Sequence, residues 1–170
     1  MKHLKLFLAI VAVAFFGAAV GMFALSFVDS QAVVLVKSDF AKFLTGFDIL
    51  FKQNNGEYLE SNNTLGAWFA LVFVALGLLA AIYAVVVAAK QKKGKKGNKT
   101  AKLACACCTF VVCGIVPAVL LFLTLQTAGI SADSTIKGFV GANFKLGVGA
   151  ILSAVFSLLG ACSLSVAELK

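Results

Sequence analysis

The run LGAWFALVFVALGLLAAIYAVVVAA, residues 65–89, contains no Asp, Glu, Lys, Arg or His. An α-helix needs about 20 mostly apolar residues to cross the roughly 30 Å hydrocarbon core of a bilayer. A run of this length and uniformity is unlike a barrel strand, and in lipid a helix satisfies its own backbone groups. Residues 65–89 therefore predict a membrane-spanning helix.

Three further stretches have the same apolar character, over residues 6–28, 103–125 and 146–167. They leave as connectors an outer loop over 29–64, a lysine-rich loop over 90–102 and a second outer loop over 126–145. We therefore predict an all-α membrane protein. It would be one membrane domain over residues 1–170, a four-transmembrane-helix bundle with a small ordered extracellular cap between helices 1 and 2.

The overall composition agrees with a membrane protein. Hydrophobic residues make up 61% of the chain and charged residues 13%, with a mean hydropathy of +1.01. Soluble domains are about 45–50% apolar and about 25% charged. The net charge of +8 would suggest nucleic acid in a soluble protein. Here the basic residues cluster beside apolar runs, so we predict anionic lipid headgroups as partners and no nucleic acid.

The lysine-rich loop sets the predicted orientation. It has no acidic residue, and its lysines are Lys90, Lys92, Lys93, Lys95, Lys96, Lys99 and Lys102. Such a loop is typically cytoplasmic, whereas acids outnumber lysines in residues 29–64. Both termini are therefore predicted to be cytoplasmic in a multi-pass plasma-membrane protein, with Trp68 at the outer interface.

The first apolar run has a second interpretation. Lys2 and Lys5 precede it as in a signal peptide, and Ala24-Leu25-Ser26 resembles a small-x-small cleavage site. The apolar region, about 20 residues, is longer than the usual 7–15 of a signal peptide, so we favour an uncleaved helix. Cleavage would leave three helices.

Small residues suggest where helices pack. In the fourth run they recur every four residues, as Gly149, Ser153, Ser157, Ala161 and Ser165. The first run carries a GxxxG pattern at Gly17 and Gly21. Whether these faces pack within one chain or between chains stays open. Pro117, the only proline, predicts a bend in the third helix, either static or a hinge.

The predicted cap is rich in phenylalanine, at Phe40, Phe43, Phe47 and Phe51. Residues 31–36 and 45–51 predict short strands, and residues 39–44 a short helix between them. The cap is either a docking surface for a partner or a lid that seals the helices.

Candidate chemistry is sparse. Cys105, Cys107 and Cys108 follow the lysine-rich loop; they are simple interfacial thiols, acylation sites or metal ligands. The only histidine is His3, and no catalytic set, phosphate loop or carboxylate pair is present. We predict neither enzymatic activity nor a cofactor or metal.

The stretch Gly46-Phe-Asp-Ile-Leu-Phe51 and the overall layout resemble small uncharacterised four-helix integral membrane proteins of low-GC Gram-positive bacteria. The resemblance implies a bacterial plasma membrane and no known activity.

Two functions follow as hypotheses. The first is a non-enzymatic accessory or scaffold subunit of a membrane complex, with a membrane protein as partner. The alternative is a small homo-oligomeric pore or passive transporter, self-associated and lined by hydroxyls such as those of Ser153, Ser157 and Thr109. Ion-coupled transport is disfavoured because the spans carry no acid or histidine.

Overall fold

The computed structural model describes residues 2–31, 43–51, 59–61, 65–90, 99–123, 130–132 and 143–169. Within these ranges, four helical segments are long and apolar enough to span a membrane, which confirms the four predicted helices. They are His3–Ala24, Gly66–Ala89, Thr100–Phe122 and Val148–Leu169.

The helices are labelled in chain order. They are α1 (Lys2–Gly21), α2 (Gly46–Phe51), α3 (Leu65–Lys90), α4 (Lys99–Phe110), α5 (Val116–Phe122) and α6 (Val148–Leu169). A 3-10 turn, Met22–Ala24, extends α1, and a π-helical segment, Val111–Ile115, joins α4 to α5. The third predicted span is thus α4, the π segment and α5 in succession. Pro117 is the second residue of α5, two positions after the end of the π segment, and it has no backbone N–H for the helical hydrogen-bond ladder.

Short strands form two small antiparallel sheets. The strands are β1 (Ser26–Gln31), β2 (Phe43–Thr45), β3 (Leu59–Ser61), β4 (Ile130–Ala132) and β5 (Asn143–Leu146). One sheet has the order β2-β1-β5 and the other pairs β3 with β4. Because β1 follows α1 and β5 precedes α6, the larger sheet ties together the adjoining ends of these two helices. We call this the sheet end of the protein.

Two predicted helix limits fall within strands. The first helix was expected to reach residue 28, but α1 ends at Gly21, its 3-10 turn ends at Ala24, and β1 begins at Ser26. The fourth was expected to begin at residue 146, which instead belongs to β5. The reason is the same for both, since Val28 pairs with Leu146 in the sheet and the ladder satisfies both backbones.

The strand predicted over residues 45–51 is also wrong, because Gly46–Phe51 forms helix α2. Helical spacing buries Leu50 against a cluster that contains Phe23, Ala67 and Ala70, and leaves Phe51 exposed. The strand predicted over 31–36 overlaps β1 only at Gln31, and residues 32–36 lie outside the described part. The helix predicted over 39–44 is wrong at residues 43–44, which lie in β2; residues 39–42 lie outside the described part.

The long helices run alternately up and down. Near the sheet end, Phe23 of the 3-10 turn that extends α1 shares a buried cluster with Ala67 of α3 and Ala150 of α6. Further along, Ala12 of α1 shares a second cluster with residues from the later turns of α3 and α6, Ala81 and Leu164. Lys2, Lys90, Lys99 and Leu169 therefore lie together at the opposite end, which we call the lysine end.

Candidate functional site

The small residues of α6 face the interior. Gly149, Ser153, Ser157, Ala161 and Ser165 are all buried. The Ser153 hydroxyl donates to the Ala19 carbonyl oxygen of α1 at 2.8 Å, and the Ser165 hydroxyl donates to the Ala106 carbonyl oxygen of α4 at 2.9 Å. We call these five small residues the seam of α6. The seam therefore joins α6 to two helices of the same chain.

The third hydroxyl in this seam, that of Ser157, donates to the Ala154 carbonyl oxygen within α6 at 2.8 Å. All three serine hydroxyls thus have backbone acceptors. A buried hydroxyl with a partner avoids the desolvation cost of an unpaired one, so these serines are structural in this arrangement.

Phe16 fills the space between α1, α3 and α6. Its side chain is fully buried. A Cβ added at Gly77 would lie 2.5 Å from Phe16 Cε1, and one added at Gly160 would lie 3.0 Å from Phe16 Cδ2. Both glycines are therefore needed for the ring to fit between the α3 and α6 backbones.

Gly114 plays a comparable part in the π segment. A Cβ added there would lie 2.7 Å from the Cβ of Ala161. Sequence reasoning missed Gly77, Gly114 and Gly160 as packing residues. The available signal was the isolated glycine in a long apolar helix, which usually has a packing or functional reason when it is retained.

Gly17 and Gly21 do not pack against another helix within the described chain, so their packing between chains stays a prediction. Both are exposed, and a Cβ at either would meet nothing within 4 Å. The buried face of α1 instead includes Ala12, Phe16 and Ala19, at helical spacing. The large Phe16 ring sets this face, and its neighbour Gly17 is turned away from it.

Aromatic side chains form a continuous group at the sheet end. The ring centroids of Phe47 and Phe51 lie 6.4 Å apart with the rings stacked, and Phe51 meets Trp68 edge-on at 6.0 Å. Phe47 also lies 6.4 Å from the buried Phe23. Trp68 Nε1 donates a hydrogen bond to the Leu50 carbonyl oxygen at 3.2 Å. We call Phe47, Phe51 and Trp68 the aromatic corner.

The other two phenylalanines of the predicted cap are not part of this group as described. Phe43 is the first residue of β2, and Phe40 lies outside the described ranges. Trp68 was predicted only from its place at the helix end, and its contact with Phe51 was not foreseen.

A polar cluster lies near the lysine end. The Thr109 hydroxyl on α4 donates to both carboxylate oxygens of Glu168 on α6, at 3.2 Å each. The Cys105 thiol lies within hydrogen-bonding reach of the same carboxylate. Sequence reasoning missed Glu168, which falls just beyond the predicted helix limit of 167, and treated Thr109 as a possible pore residue.

The remaining cysteines are divided between surface and interior. Cys107 and Cys108 are exposed, whereas Cys113 is buried. Among the residues that the structure describes, no group of three or more His, Cys, Asp or Glu side chains could hold a metal ion.

The predicted lysine-rich loop begins at the end of α3 and runs into α4. Lys90 is the last residue of α3, Lys99 begins α4, and Lys102 lies in its first turn. Lys92, Lys93, Lys95 and Lys96 lie outside the described ranges. Helix α4 starts earlier than the predicted residue 103, as lysine is a good helix former.

No protein-family model, no curated protein and no solved structure matches this chain.

Proposed function

We propose that the protein is a non-enzymatic integral membrane protein that acts as an accessory or scaffold subunit of a membrane complex. Its four spans form one bundle, with the sheet end outside the cell and the lysine end and both termini in the cytoplasm.

The observation that carries the proposal is the packing of the described helices against one another. Phe16 occupies the space between three of them, and the hydroxyls of Ser153, Ser157 and Ser165 all donate to backbone carbonyls. Substrate or ion paths through membrane helices need polar groups that face a cavity. The buried serines of the described helices therefore have no hydroxyl left to line such a path, and the outer surfaces of these helices are what they offer to other molecules.

The same contacts argue against the alternative, a homo-oligomeric pore lined by the serine face of α6. That face is covered by α1 and α4 of its own chain, so lining a pore would require these helices to separate. Thr109, the other proposed lining residue, is engaged with Glu168.

Docking could use the sheet end, the small-residue face of α6 or the lysine end, and two of these remain. The seam of α6 is occupied within the chain. The sheet end extends beyond the spans and is held by the pairing of β1 with both β2 and β5, so we assign it to a membrane-protein partner. The lysine end carries the positive charge and is assigned to anionic lipid.

The test is the native mass and composition of the complex extracted gently from its own membrane. A fixed second protein in stoichiometric amount is the expected result, and it would name the partner. A matched preparation of Leu25→Lys, which changes an exposed residue between the 3-10 turn and β1 and outside the aromatic side chains of α2 and α3, should lose that partner while keeping its fold.

Two results would contradict the proposal. A closed homo-oligomer without a second protein would favour the pore, and purified protein in liposomes would then leak ions or small solutes. If the protein is a monomer in native membranes and liposomes that contain it do not leak ions or small solutes, both the accessory role and the pore are excluded, and only a role toward lipid is left.

A further inference from the structure

The short helix α2 packs against the N-terminal turns of α3. Leu50 is buried in the cluster that contains Ala67 and Ala70 of α3. Gly46 lies so close to Phe23 that an added Cβ would be 2.8 Å from its ring. These contacts set the rotation of α2, and they turn Phe47 and Phe51, one helical turn apart, to its outer side.

Trp68 is fixed in turn by α2. Its indole N–H donates to the Leu50 carbonyl oxygen, and its ring meets the Phe51 ring edge-on. With the N–H satisfied inside the protein, the exposed part of the ring can enter an apolar medium without an unpaired polar group.

The aromatic corner is nevertheless open to its surroundings. Phe51 is 61% exposed, and Phe47 and Trp68 are each 40% exposed. The corner is also continuous with the outer face of α3, where Phe69, Val72 and Leu76 are exposed. That face belongs to one of the four segments able to span a membrane, so whatever solvates it also reaches the corner.

We infer that the aromatic corner is a lipid-binding surface, seated at the boundary between headgroups and acyl chains in the leaflet on the sheet side. Tryptophan is enriched at this boundary, and short helices that lie in the interface place tryptophan and phenylalanine on their apolar side. Helix α2 then lies in the plane of the interface and fixes how deeply α3 sits. The inference rests on α3 crossing the membrane and not on the accessory role.

Trp68 is the only tryptophan of the chain, so its fluorescence reports on this site alone. The full chain is reconstituted in phosphatidylcholine vesicles that carry bromine either near the glycerol end or near the methyl end of the acyl chains. We expect bromine near the glycerol end to quench Trp68 more strongly. Aqueous iodide should quench it much less than in the denatured chain.

Variants of the exposed phenylalanines test the role of α2. Phe51→Ala uncovers one edge of the indole, so iodide quenching should rise and the emission should shift to the red, whereas Phe51→Leu should keep most of the protection. Phe122→Ala is the matched control, because Phe122 is an exposed phenylalanine at the end of α5. It should leave Trp68 unchanged.

Three results would overturn the inference. Iodide quenching equal to that of the denatured chain would place Trp68 in water. Stronger quenching by bromine near the methyl ends would place it deep in the bilayer. Protection from both lipid bromine and iodide would mean that a second copy of the chain covers the corner.

Discussion

The hydroxyl of Ser153 on α6 donates a hydrogen bond of 2.8 Å to the carbonyl oxygen of Ala19 on α1. Ala19 lies in the last turn of α1, where the chain passes into a 3-10 turn and end carbonyls lack intrahelical partners. The bond therefore satisfies a helix end and fixes α1 against α6 at the same point. It also shows that the small face of α6 is used within the chain.

Replacing Ser153 with alanine should lower the free energy of unfolding by about 0.6–1.5 kcal/mol, the range for buried hydrogen bonds in membranes and water. The measurement is reversible unfolding in mixed micelles. Ser157→Ala is the control, because its hydroxyl bonds within its own helix and its loss should cost less. Equal effects of the two variants would contradict the assigned role of Ser153.

Adding a methyl group beside Phe16 should destabilise the protein. Gly77→Ala places a Cβ 2.5 Å from the ring, and overpacking of this kind costs about 1–3 kcal/mol. Gly160→Ala, at 3.0 Å, should cost less. Unfolding of each variant with and without Phe16→Leu measures the coupling, and the smaller side chain should relieve most of the Gly77→Ala cost.

The matched controls for these glycines are in α1. Gly17→Ala and Gly21→Ala add a methyl group where nothing lies within 4 Å. Because alanine is the better helix former by about 0.8–1 kcal/mol, neither should destabilise the isolated chain. A loss of stability at Gly17 or Gly21 comparable to that at Gly77 would contradict the packing described here.

The contact between Thr109 and Glu168 should stabilise the pairing of α4 with α6. Thr109→Val keeps the shape of the side chain and removes the donor. Since both residues are half-buried, we expect a loss of about 1.5 kcal/mol, at the low end for bonds to charged groups. A double-mutant cycle with Glu168→Gln checks this, and strictly additive losses would show that the two side chains do not interact.

Charge at the lysine end should govern lipid preference. Each lysine near an anionic leaflet contributes about 1 kcal/mol of electrostatic attraction. Exchanging the seven lysines of residues 90–102 for glutamine should therefore abolish the preference for anionic over neutral lipid. Retention of labelled anionic lipid by the purified protein measures it, and protease access to the termini reports orientation. Unchanged lipid preference and unchanged orientation together would rule out the proposed role of the loop.

Parts of the candidate site followed from the sequence. The recurrence of a small residue every four positions in α6 predicted five packing residues, and all five are buried. The position of Trp68 suggested an interfacial aromatic. The partners of Trp68 and of Thr109 did not follow, because Phe51 was expected in a strand and Glu168 beyond a helix. Both expectations treated each segment alone, whereas Leu50 and Thr109 owe their positions to contacts with other helices.

Apolar length was enough to predict four helices able to span a membrane, because it is a local property that a bilayer selects segment by segment. The residue at which α1 ends and the glycines that pack are instead set by tertiary contacts. Val28 leaves the helix to pair with Leu146, far along the chain. Gly77 and Gly160 pack, and Gly17 does not, because Phe16 lies between the first two. The end of α1 and the packing of each glycine depend on which segment of the chain lies next to them, and local composition does not specify that neighbour.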